Sequence, residues 1–69
     1  MDFVVEAGRR CVAVEVKRAS RWQPKDLSGL QAFLAATPSC RAGVLAYGGK
    51  ETVSLGDRLF AAPVGKVLS

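Results

Sequence analysis

Histidine is absent from the 69 residues, which excludes Ser-His-Asp and Cys-His chemistry within this chain. Cysteine is scarce: Cys11 and Cys40 are the two present. They make no secreted disulfide framework and have no metal-finger spacing. We read them as reduced thiols of a cytoplasmic protein, with room for a single bridge at most. No apolar run approaches the ~18 residues of a membrane span. The N-terminus, Met1 to Val5, lacks the basic region and cleavage site of a signal peptide. Six acidic residues face ten basic ones, a net charge of +4. That balance favours anionic partners such as nucleic acid, and serves equally well to keep a domain soluble. There are no repeats and no low-complexity stretches.

What is present is one small domain spanning residues 1–69. A chain this short buries only about 60% of its unfolded surface, so its stability margin is thin without help. The first strand begins at residue 2 with no lead-in, which points to a piece of a longer protein carrying an added Met1. The absent part, or a second copy in a homodimer, would then complete the core.

Phe3–Ala7 and Arg10–Lys17 are β-branched-rich segments around Gly8-Arg9, the pattern of a hairpin. Alternation puts Phe3, Val5, Val12, Val14 and Val16 on one side, read here as the core side. Asp2, Val4, Glu6, Cys11, Ala13, Glu15 and Lys17 fall on the other. Pro24 opens a helix in its tolerated first-turn position, and Leu27, Leu30, Gln31 and Leu34 form a stripe that Phe33 widens. Thr37-Pro38-Ser39 stops it. Gly43–Tyr47 reads as a buried strand and Glu51–Leu55 as a further one. Leu59–Val64 follows, where Pro63 argues for an edge position. The order is β-β-α-β-β with a short C-terminal edge segment, an α/β domain with a mixed sheet. Its helical crossover implies one parallel pair.

In the stretch "VAVEVKRAS", Glu15 and Lys17 stand on one face of an otherwise aliphatic strand. A two-residue turn at Gly8-Arg9 sets residue 2 opposite residue 15. Directly opposed side chains lie about 4.5–5.5 Å apart at Cβ, where like charges destabilise unless a cation lies between them. Asp2 and Glu15 would therefore suit Mg²⁺ or Mn²⁺, hard ions that keep waters and recruit phosphate oxygens. Lys17, beside them, could orient a metal-bound water or stabilise charge on a phosphate. The plain alternative is a solvated strand face on which Lys17 neutralises Glu15, worth at most about 1 kcal/mol.

Asp2 followed by Glu15-Val16-Lys17 resembles the PD-(D/E)XK nuclease superfamily. More narrowly, "DFVVEAGRRCVAVEVKRAS", "DLSGLQAFL" and "CRAGVLAYGG" are similar to the nuclease-like C-terminal domain of unknown function found on many prokaryotic AAA+-type ATPases. The resemblance covers nearly the whole chain. It implies a small restriction-endonuclease-like fold, an ATPase part upstream, Asp2 and Glu15 as metal ligands, and Lys17 as the catalytic lysine. Two departures stand out: no proline precedes the acid, and the helix that usually leads the core is missing. The function implied is Mg²⁺- or Mn²⁺-dependent phosphodiester hydrolysis of nucleic acid. The other reading is an inactive nucleic-acid-binding or docking domain on the ATPase.

Gln31 is the polar residue on the helical stripe. In some branches of the superfamily a helical glutamine points into the site; otherwise it bonds solvent or a loop carbonyl. Lys17, Arg18, Arg21 and Lys25 cluster around Trp22 between the strand and the helix N-terminus. They could follow a nucleic-acid backbone, while Trp22 is better placed to plug the gap between loop and helix than to stack on a base. Arg9 and Arg10 read as a solvated turn.

Overall fold

The computed structural model describes residues 3–68. Strands β1 (Phe3–Ala7) and β2 (Arg10–Lys17) form the expected hairpin. Gly8 occupies the left-handed region at φ 63°, a conformation that glycine adopts without the Cβ penalty. The register runs from Phe3 opposite Val14 to Ala7 opposite Arg10. This is the pairing that the two-residue turn predicts.

Pro24–Leu27 form a turn of 3₁₀ helix leading into α1 (Ser28–Ala36), which ends at Thr37. β3 (Cys40–Tyr47) returns parallel to β2, β4 covers Val53–Gly56 and β5 covers Leu59–Pro63. A short helix, α2 (Val64–Val67), follows. The result is a small α/β domain built on a five-stranded mixed sheet in the order β1-β2-β3-β5-β4. β3 and β5 are parallel and β4 is antiparallel to β5.

Two expectations are corrected. β5 lies inside the sheet and β4 is at the edge. Pro63 is tolerated because the β4 ladder has already ended at Ala61, so β5 is locally unpaired on that side at its last residue. The second correction concerns the core. α1 lies over the face carrying Ala13, not the valine face. Leu27, Leu30 and Leu34 cluster there with Ala13, Cys40, Leu45, Tyr47, Leu59 and Ala61. Reading aliphatic bulk as the mark of the core face misled, because a helix lies closest where the sheet is small. A Cβ at Gly43 would stand only 3.0 Å from Leu34 Cδ1. Ala13 and Gly43 leave the room that Leu30 and Leu34 fill.

Arg58 ties the far end together. It too sits in the left-handed region, at φ 63°, which costs a side-chain-bearing residue about 1–2 kcal/mol. Its guanidinium donates to the carbonyls of Leu34 (3.1 Å), Pro38 (3.4 Å) and Cys40. The C-terminus of α1, which has no basic residue in its last turn, thus receives its positive charge from the β4–β5 turn.

Candidate functional site

The carboxyl ends of β2 and β3 lie side by side, with Glu15 opposite Leu45 and Lys17 opposite Tyr47. In open α/β sheets ligands bind outside the carboxyl ends of the strands. Two loops leave the sheet here, and Gly48 N–H donates to the Ala19 carbonyl at 2.9 Å, holding one against the other. Tyr47, buried in the core, donates its hydroxyl proton to the Glu51 carbonyl at 2.8 Å.

Glu15 and Lys17 share the face over which α1 lies, both half-buried. Gly29, near the start of α1, lies beside the carboxylate: a Cβ there would stand 3.4 Å from Glu15 Oε1, about ordinary contact distance. Lys17 reaches instead to the 3₁₀ turn, its Nζ 3.3 Å from Asp26 Oδ1. The second oxygen of Asp26 accepts the Gln23 backbone N–H at 2.8 Å. That backbone hydrogen bond, and after it the neighbouring Lys17, holds the Asp26 carboxyl below its ordinary value of 3.8. Asp26 is the residue that sequence reading passed over. Its signal was an acidic side chain in the first turn after Pro24.

The sign of the pH effect follows. A carboxylate with a depressed folded-state pKa adds stability that is complete above its ordinary value and is lost as pH falls through the folded one. Asp26→Asn is therefore expected to lower stability at neutral pH, where the ionised carboxylate contributes fully, and to flatten part of the slope below about pH 4, so that the two proteins converge in acid. Thermal melts of both proteins from about pH 2 to 7 read this directly.

Asp2 lies outside the described residues. The β1–β2 register that its pairing with Glu15 presupposes is present as far as Phe3 opposite Val14. Arg18, Arg21 and Lys25 are exposed around the same end of the sheet. Trp22 is half-buried against the core, in the packing role expected of it. Gln31 is exposed and lines a cleft of about 280 Å³ with Leu34, Leu55 and Arg58, beside the β4–β5 turn. Neither Glu15 nor Lys17 lines that cleft.

Among the described residues no three His, Cys, Asp or Glu side chains gather into a metal centre. Mg²⁺ and Mn²⁺ need less than that, often one or two carboxylates completed by waters and substrate oxygens. Glu15 is a donor of that hard-oxygen kind. The thiols sit elsewhere. Cys11 and Cys40 are free and are paired in register across a bulge at the other end of β2 and β3. A hydrogen bond with Cys40, and then burial, push the Cys11 thiol above its ordinary 9.0, so it stays protonated and poorly nucleophilic at neutral pH.

Among the described residues no helix is long and apolar enough to cross a membrane. No curated protein and no solved structure matches the chain. A family model described as a domain of unknown function, DUF4143, matches residues 1–67. With almost its whole length matched, the chain belongs to the DUF4143 family.

Proposed function

We propose that this domain hydrolyses the phosphodiester backbone of nucleic acid with the help of Mg²⁺ or Mn²⁺, as the C-terminal part of an AAA+-type ATPase protein. One observation carries the reading. Glu15 and Lys17 stand on one face of β2 at its carboxyl end, under α1, in a register that brings the start of β1 toward Glu15. Asp2 and Glu15 would hold the ion, which when bound would supply Lewis-acid polarisation of the phosphate. Lys17 would hold its ammonium against the phosphoryl oxygens, where negative charge grows during attack by water. Arg18, Arg21 and Lys25 would follow the flanking phosphates, a contact that weakens with salt.

A second reading has its own observation. The Lys17 ammonium is engaged by Asp26 at 3.3 Å, as in a structural ion pair, and this favours a domain that binds nucleic acid or docks on the ATPase without cutting. Calorimetric titration of Mn²⁺ into the domain separates the two. Hydrolysis predicts a saturable site that is lost in the Asp2→Ala/Glu15→Ala double variant. It also predicts plasmid nicking that falls at least about 100-fold in Lys17→Ala. A flat isotherm, with oligonucleotide binding intact in Glu15→Ala, would establish the docking role and rule out the catalytic one.

A further inference from the structure

The two thiols of the chain stand together, although 29 positions separate them in sequence. Cys11, in β2, is the register partner of Cys40, in β3. Cys40 belongs to the cluster under α1 and Cys11 packs against that cluster, so both side chains leave the sheet on its helix-covered face. Cys40 Sγ lies 3.5 Å from the Cys11 carbonyl oxygen, and the Cys11 thiol is hydrogen-bonded with Cys40.

Adjacent strands run about 4.8 Å apart, inside the range of about 4.4–6.8 Å found between the Cα atoms of bridged cysteines. A bridge also needs its Cβ atoms about 3.8 Å apart, closer than side chains stand on a regular ladder. The ladder is interrupted at this pair. Cys11 is opposite Cys40 but Val12 is already opposite Ala42, which makes Arg41 an extra residue in β3. A bulge bends its strand and breaks the local pairing, and so gives these two residues the freedom to close. Cys11 is also within reach of a reagent. It is half-buried and lines a cavity of about 370 Å³ with Arg9, Arg10, Thr37 and Ser39, whereas Cys40 is 1% exposed. Two guanidiniums there outweigh one carboxylate, that of Glu6, which suits an anionic reagent.

We infer that Cys11 and Cys40 are a redox pair, which a small anionic disulfide of the glutathione type oxidises to an internal bridge. The Cys11 thiolate attacks one sulfur of the reagent and forms a mixed disulfide. The first glutathione thiolate leaves and takes up the proton that Cys11 lost. Cys40 then gives up its own proton and displaces the second glutathione thiol, leaving the Cys11–Cys40 bond. Two protein thiols are oxidised while one reagent disulfide is reduced to two thiols. The raised pKa of Cys11 makes the first step slow at neutral pH, and the placement of the pair by the fold decides how far the exchange runs. The loop so closed contains Glu15, Lys17 and α1. The chemistry itself needs nothing from the proposed hydrolysis.

Equilibration with defined mixtures of reduced and oxidised glutathione tests it, with free thiols counted by alkylation and mass spectrometry. The folded chain is expected to lose both thiols to an internal bridge. Its effective thiol concentration should be at least about tenfold above that of the same chain unfolded in urea. Cys40→Ser should stop at the Cys11 mixed disulfide. Cys11→Ser, which keeps only the buried thiol, should react at least about tenfold more slowly. Circular dichroism verifies that both variants fold, and the comparison of folded with unfolded wild type needs neither of them. Equal bridging in the folded and the unfolded chain overturns the inference, because the fold would then contribute nothing. So does a folded wild-type chain that keeps both thiols, or that collects only glutathione adducts or links between chains.

Discussion

Leu30→Ala should abolish the cooperative melt of this domain, or nearly so. Leu30 is fully buried, with 0% of its surface exposed, at the centre of the cluster that joins α1 to β2, β3 and β5. Truncating such a leucine costs about 2–5 kcal/mol, because the cavity left behind collapses only in part. At about 0.05–0.15 kcal/mol per residue the whole domain has roughly 3–10 kcal/mol in hand. One side chain therefore carries a large share of the margin. Leu68, 57% exposed, provides the control: its alanine variant should stay within about 0.5 kcal/mol of wild type. Trp22, packed against the same cluster, supplies an intrinsic fluorescence probe for urea titrations. A Leu30→Ala protein that unfolds with the wild-type midpoint would mean that α1 does not hold the core together.

Arg58 should give the second-largest effect, and a pair of variants divides it. Arg58→Ala removes the guanidinium from the carbonyls of Leu34 and Cys40 and keeps a Cβ in the left-handed region. The lost hydrogen bonds should cost about 1–3 kcal/mol. Arg58→Gly loses the same bonds while relieving the backbone, and should recover about 1 kcal/mol of that loss. Lysine will not substitute, since one ammonium cannot span carbonyls that a planar fork reaches together. Urea midpoints of the three variants read the order. If glycine were no more stable than alanine, the φ of 63° would carry no strain.

The candidate site has a division of labour that follows from its neighbours. Glu15 and Lys17 come from one strand, so their spacing is a property of β-structure alone. The direction in which Lys17 points depends on Asp26, which arrives from the turn before α1. A phosphate entering the site would compete with that carboxylate for the ammonium. The depressed Asp26 carboxyl means that the competitor is fully ionised at neutral pH.

Local chemistry made part of this molecule legible without coordinates. Glycine at a two-residue turn and β-branched runs on either side determine a hairpin and its register, because period-two alternation leaves no intermediate pairing. The proline start and the Thr37-Pro38-Ser39 stop of the helix are likewise properties of a few neighbouring residues. Other features arise between residues remote in the chain. Which face α1 covers turned on the small volume at Ala13 and Gly43 beneath Leu30 and Leu34, a packing relation that alternation cannot express. The inner position of β5 depended on β4 folding back outside it, and the engagement of Lys17 by Asp26 on where the 3₁₀ turn came to rest. Short-range sterics act within a turn of the chain, whereas burial and ion pairing belong to whatever the fold brings together.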